Sequence, residues 1–146
     1  MKIKSLYQLV QKVNLNETYT SIVKNNDDNI VDLVQDQLSH GFIKSNNQLK
    51  QFTYKDSDYR NYKLSINARA NGYVDLRNTG KFYEGMYLDV KKSATFKMMS
   101  NDSKFEKLKN KYGNDILGLG GKYFAEMVDT YIYPNLMISL RKQLQL

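Results

Sequence analysis

The residues of this chain that could do chemistry are few. It contains no cysteine and one histidine. Disulfides, thiolate zinc or iron–sulfur sites and thiol nucleophiles are therefore excluded, and so is a histidine-rich metal site within one chain. His40 stands beside Gly41 at the end of an apolar-periodic stretch, where an imidazole satisfies the last helix carbonyls. No serine or acid is spaced to make it a general base. Leu117-Gly118-Leu119-Gly120-Gly121-Lys122 has the look of a phosphate cradle. A P-loop, however, needs four residues between its first glycine and Gly-Lys-Ser/Thr, and here the spacing is short and Tyr123 takes the hydroxyl position. No βαβ unit surrounds these glycines either, so the stretch reads as a joint between helices. Asp27-Asp28 and Asp56-Ser57-Asp58 lack the alternating ligands and terminal glutamate of a calcium loop and read as helix caps and turns. Glu17, Glu84, Glu106 and Glu126 form no carboxylate pair that spacing alone can identify. The expectation is a protein without catalytic residues, metal or cofactor.

Lysines offer a different chemistry. The net charge is +7, and residues 61–146 hold fourteen of the twenty-two basic side chains against eight acids. Lys91, Lys92 and Lys97, followed by Lys104, Lys107, Lys109 and Lys111, could neutralise phosphates, with Tyr87 and Phe96 as stacking rings. Phe96 shares a face with Ala94 and Met98, which places it in a core, and the lysines read first as a solvated face.

The elements that position these residues follow from periodicity. A chain of 146 residues, 41% hydrophobic, matches one domain able to bury a core unaided. Leu6, Leu9, Val10 and Val13 predict a helix over 5–13. Asn16 is a cap for a second through Lys24, and Asn26 or Asp27 starts a third whose stripe is Ile30, Val31, Leu33, Val34, Gln37 and Leu38. Phe42-Ile43-Lys44 reads as a short extended piece and 45–56 as a loop. Tyr59, Tyr62, Lys63 and Ile66 fit a helix from Ser57, with a strand as the alternative, and Asn71-Gly72 is a turn. Thr79 begins a short helix. Tyr87–Val90 and Ala94–Met98 form a hairpin with Lys91-Lys92-Ser93 at its tip. Asp102 caps a helix that Gly113 ends. The last helix runs from Gly121 to Gln143, kinked or split by Pro134.

These readings compose an α+β protein: a small antiparallel β-hairpin packed against several helices, with a long kinked C-terminal helix. The single domain divides into a helical N-terminal region over residues 1–70, a middle region over 73–120 and the helix 121–144. No run of about 18 apolar residues exists to span a membrane, and Ser5, Tyr7, Gln8, Gln11 and Lys12 interrupt what would be a signal-peptide apolar stretch. The expected product is intracellular, with its N-terminus retained.

The stretch Val74–Leu119 carries a resemblance. It contains Asp75-Leu76-Arg77-Asn78-Thr79-Gly80-Lys81-Phe82-Tyr83-Glu84-Gly85-Met86, a hairpin, a helix, and then Tyr112-Gly113-Asn114-Asp115-Ile116-Leu117-Gly118-Leu119. It resembles the tailed-phage family of tail-completion, head–tail joining and virion-morphogenesis proteins, in which a leucine, a Thr-Gly pair and a hydrophobic residue precede a hairpin. An aromatic residue and glycine then lead into a Leu-Gly-Leu-like stretch. The matching positions are Leu76, Thr79, Gly80 and Phe82, then Tyr112, Gly113, Leu117, Gly118 and Leu119. Tyr83-Glu84-Gly85 departs from the basic or serine-rich position common in the family, and residues 1–73 match none of it.

The resemblance implies a non-enzymatic virion component at the head–tail junction or tail, made in the host cytoplasm. Its partners would be copies of itself in a cyclic oligomer, the adjacent neck, portal-adaptor or tail-tube proteins, and DNA passing through the ring. Tyr83, Tyr87, the tip Lys91-Lys92-Ser93, Tyr131 and Tyr133 are the expected interface positions. A small basic nucleic-acid-binding protein is the alternative.

Overall fold

The structure is a computed structural model that describes residues 3–45, 49 and 54–146. Much of the stretch 45–56 read as a loop therefore lies outside the described residues, as do Met1 and Lys2. Two short helices, α1 (Ile3–Lys12) and α2 (Leu15–Asn25), open the chain. The cap of α2 is Asn14 and not Asn16: the Glu17 amide donates to Asn14 Oδ1 at 3.1 Å. Helix α3 (Asp27–Ser39) follows, with two acids in its first turn facing the positive end of the helix dipole. Of the stripe that spacing predicts it buries Ile30, Leu33, Val34, Gln37 and Leu38, with Val31 half-buried. Gly41 follows it with φ +77, a backbone that favours glycine.

Helix α4 (Ser57–Ile66) is capped by Asp56, whose Oδ1 accepts the Tyr59 amide at 2.7 Å. The residues before Asn71 are thus helix and 3₁₀ turn rather than strand. Asn71 and Gly72 make the expected turn with φ of 49° and 76°. The short helix α5 (Lys81–Glu84) leads into strands β1 (Met86–Val90) and β2 (Phe96–Ser100). They pair antiparallel with Leu88 opposite Met98 and Val90 opposite Phe96, so the even-numbered residues share one face, as read from the alternation. Ala94 belongs to the connection and not to the strand. The loop needs a left-handed residue there, and Ala94 sits at φ +59.

Helix α6 (Phe105–Tyr112) begins where Asp102 Oδ1 accepts the Lys104 amide at 2.8 Å, and it ends at Gly113. The last helix is continuous over α7 (Gly121–Glu126), a wide π segment (Met127–Ile132) and α8 (Tyr133–Leu144). Pro134 has no N–H to give, and its ring would press on the carbonyl four residues back. The chain answers by widening before the proline, with the Tyr133 amide reaching Val128 O. Pro134 thus converts one turn to π geometry where a split was the alternative.

The core gathers α2, α3, the sheet, Ile116 and Leu117, and the α7–π stretch into one cluster, with Val23, Ile30, Val34, Leu38 and Ile116 fully enclosed. By contrast α8 buries no side chain, and neither does α1 from Lys4 onward. Among the described residues no helix is long and apolar enough to cross a membrane.

Candidate functional site

The loop from Val74 to Gly80 is fixed by one carboxylate. Asp75 is 1% exposed. Its Oδ1 lies 2.9 Å from Lys63 Nζ and accepts the Arg77 amide at 3.0 Å and the Tyr54 hydroxyl at 3.3 Å. Its Oδ2 accepts Asn67 Nδ2 at 2.8 Å. Lys63, buried at 4% exposure, also donates to Arg77 O at 2.6 Å, and the Tyr83 hydroxyl donates to Asp75 O at 2.5 Å. Taking both charges from water is costly unless every lone pair and proton finds a partner. Here each charged group has several partners, and among the described residues no buried side-chain polar atom is left without one.

This clamp explains Leu76. Its φ of +55 costs an L-residue about 1–2 kcal/mol, yet bonds to Asp75 and Arg77 on either side hold the backbone there. Burial first, and the Asp75 charge second, push the Tyr54 and Tyr83 hydroxyls well above the ordinary tyrosine range. Both therefore act as hydrogen-bond donors. Gly80 follows at φ +88, and a side chain at Gly85 would press on Ser100 Oγ at 3.0 Å and the Asp102 amide at 3.1 Å. Gly80 thus supplies the left-handed turn before α5, and Gly85 lets the end of that helix sit hard against the end of β2.

The clamped loop forms one wall of a cleft of about 190 Å³. Val74, Leu76, Phe82 and Leu108 supply its apolar surface, Tyr54, Tyr59 and Tyr112 its rings, and Arg77, Asn78, Thr79, Gly80, Asp102 and Lys104 its polar surface. Tyr54 and Tyr59 meet edge to face with centroids 5.1 Å apart. Tyr59, 38% exposed, continues into Tyr62 and Ile66, both 57% exposed, at the i, i+3, i+7 spacing of one helix face. Helix α4 thus turns Lys63 inward and an aromatic stripe outward. Neither Arg77 nor Lys104 forms an ion pair among the described residues.

The two halves of the family-like motif meet here. Leu76, Thr79, Gly80 and Phe82 from the first half and Tyr112 from the second line the same cleft. The remaining positions are structural. Gly113 ends α6 at φ +101, Leu117 is buried and Leu119 half-buried. Gly118 O accepts Gln37 Nε2 at 2.8 Å while the Gly120 amide donates to Gln37 Oε1 at 2.9 Å. The glycine-rich stretch is therefore held by a side-chain amide from α3, as a joint between helices.

The expected interface positions scatter. Tyr83 is 5% exposed; in this fold it is a core residue whose hydroxyl is committed to Asp75, because α5 rolls both Phe82 and Tyr83 inward. Tyr87 and the tip Lys91, Lys92 and Ser93 are exposed, the tip resting over the start of α2, where Lys92 shares a hollow with Asn14, Asn16, Glu17 and Thr20. Tyr131 packs half-buried on the core, and Tyr133 is 58% exposed. His40 is a cap as read: its Nδ1 lies 2.8 Å from Asp36 O, with the Tyr123 hydroxyl at 3.2 Å. Burial and then the Asp36 charge push that hydroxyl up to about 12.

Sequence reasoning missed the roles of Lys63, Asp75, Tyr54 and Asn67, and read Gln37 only as a position on the α3 stripe. Only an inward-facing lysine on a helix whose other face is aromatic would have pointed to the first. Among the described residues no three acids or histidines converge as a metal site. No protein-family model matches the chain, and no curated protein or solved structure is significantly similar to it.

Proposed function

We propose that the chain is an assembly component of a tailed-phage particle, built into the head–tail junction by self-association into a ring and by contact with neck, portal-adaptor or tail-tube proteins. The observation that carries this reading, beside the sequence resemblance, is the open sheet. The Lys91 amide donates to Thr95 O and the Asn101 amide to Gly85 O, so odd-numbered main-chain groups face the partner strand. Those of Leu88 and Val90 on β1, and of Phe96 and Met98 on β2, therefore point away from it. No third strand meets either edge among the described residues. A free edge pairs with a neighbour's strand. Because β1 and β2 present different edges, pairing one with the other is head-to-tail, the contact that yields a ring when its rotation closes.

The terminal helices support the same reading. Tyr7 and Val10 on α1 and Tyr133 and Ile138 on α8 are 51–64% exposed, apolar surface that assembly would cover.

Mass spectrometry of purified particles, tail-less heads and isolated tails from the virus encoding this chain tests the proposal. Stoichiometric presence in whole particles or tails is expected, and the fraction that holds it gives its level. Absence from every fraction would overturn the reading.

A further inference from the structure

We infer that the cleft between α4, the Val74–Gly80 loop and α6 is a binding site for single-stranded nucleic acid, taking one unpaired base between its tyrosines with the adjoining phosphates on Arg77 and Lys104. This stands apart from the ring proposal, because it rests on the cleft and not on the sheet edges.

Size is the first argument. Sites that enclose a whole small molecule measure roughly 300–1,000 Å³. At about 190 Å³ this cleft has room for one flat ring, with the rest of the ligand outside. Its walls are those that stack bases without regard to sequence: Tyr59 and Tyr112 beside apolar Leu76 and Leu108. Tyr54 is held by its bond to Asp75, so the pocket is formed before a ligand arrives and binding spends little on ordering it.

Charge decides the class of ligand. Arg77 and Lys104 stand at the rim without ion-pair partners among the described residues. Lys107 and Lys111 follow Lys104 at helical spacing along α6 and are exposed. The acid in the lining, Asp102, turns an oxygen to the Lys104 amide. With a net charge of +7, the surface suits a polyanion better than an aromatic side chain of another protein. Stacking requires an unpaired base, so duplex DNA should bind less well.

The exposed stripe of Tyr62 and Ile66 extends the platform from the cleft mouth along α4, where the next base would lie. This relocates the stacking residues. Spacing points to Tyr87 and Phe96 on the hairpin, whereas the fold sets Tyr54, Tyr59 and Tyr112 beside the α6 lysines.

Fluorescence anisotropy of the full chain with a labelled oligothymidylate of about ten nucleotides tests this. Tyr59→Leu, at a surface position where folding is little affected, should weaken binding about five- to hundred-fold. Arg77→Gln and Lys104→Gln should each lower the slope of log affinity against log salt by about 0.7. A hairpin-tip control, Lys91→Gln with Lys92→Gln, should leave the affinity within about two-fold of the parent. Circular dichroism confirms that each variant is folded. No binding, equal affinity for a duplex of the same length, or loss in the tip control matching that of Tyr59→Leu would overturn the inference. The last two results would mark a diffuse electrostatic surface, and the first would hand the cleft to a protein side chain.

Discussion

Helix α3 turns Ile30, Leu33, Val34 and Leu38 into the core, whereas α4 turns Lys63 inward and leaves Tyr59, Tyr62 and Ile66 in solvent. In α3 orientation comes from apolar area, each buried aliphatic side chain contributing about 1.5–3 kcal/mol. In α4 the inward lysine meets Asp75, Arg77 O and a loop it helps to shape. A buried ion pair contributes little net stability over an apolar substitute, yet breaking it leaves a charge stranded. Such a pair therefore specifies which way a helix faces more than it holds the helix down. The outward aromatic stripe is the consequence, and it borders the cleft.

Removing one partner should have the largest effect. Asp75→Ala strands Lys63 and frees the loop, and urea unfolding should show a loss of about 3–5 kcal/mol. The double change Lys63→Met with Asp75→Leu should recover most of that loss while leaving Tyr59 and the loop misplaced, a dissociation of stability from site geometry. On α3, Leu38→Ala should cost about 2–4 kcal/mol through an unfilled cavity. Gln37→Leu, which leaves Gly118 O and the Gly120 amide unpaired, should cost about 2 kcal/mol by the same assay. On the outer face of α4, Tyr62→Ser should stay within about 0.5 kcal/mol of the parent.

Alkaline pH separates the same regions. Tyr54, Tyr83 and Tyr123 all have raised hydroxyl pKa values, burial being the first cause. In the unfolded chain they ionise near the ordinary value of 10.0, while in the folded chain they stay neutral. Their contribution to stability is therefore complete below about pH 10 and is lost as pH rises from there through the folded values. A tyrosinate absorbance titration should show these three ionising together with unfolding. Tyr83→Phe, which removes one of the three groups, should shift the midpoint of that transition to higher pH.

The difference between the helices also marks what the sequence can tell. The stripe of α3, the shared face of the hairpin and the stop at Gly113 are repetitive or local signals, and the structure bears them out, whereas the hairpin's register is shifted: Val90 pairs with Phe96 and not with Ala94. The pairing of Lys63 with Asp75 joins a helix to a loop twelve positions on, and no period announces it. Tyr59, Tyr62, Lys63 and Ile66 fit a helix in the sequence, but spacing tells which residues lie together and not which way they point. Tyr83 reads as available for an interface for a related reason: a four-residue helix such as α5 is too short for its periodicity to define an inner side. The cleft is half visible in the chain. The Thr79-Gly80 and Tyr112 segments stand out, but their meeting depends on the Leu76 backbone, which only the Asp75 clamp holds.

The chain has no cysteine of its own, so single introduced thiols can test the orientation of α4 directly. Labelling rates of Tyr62→Cys and Val34→Cys should be compared in the folded protein. The thiol at position 62 should react at nearly the rate of an unfolded peptide, while the thiol at position 34 reacts only through unfolding, slower by orders of magnitude. Equal protection at both positions would contradict the outward aromatic stripe, since α4 would then bury that face and the cleft could not have the open wall described here.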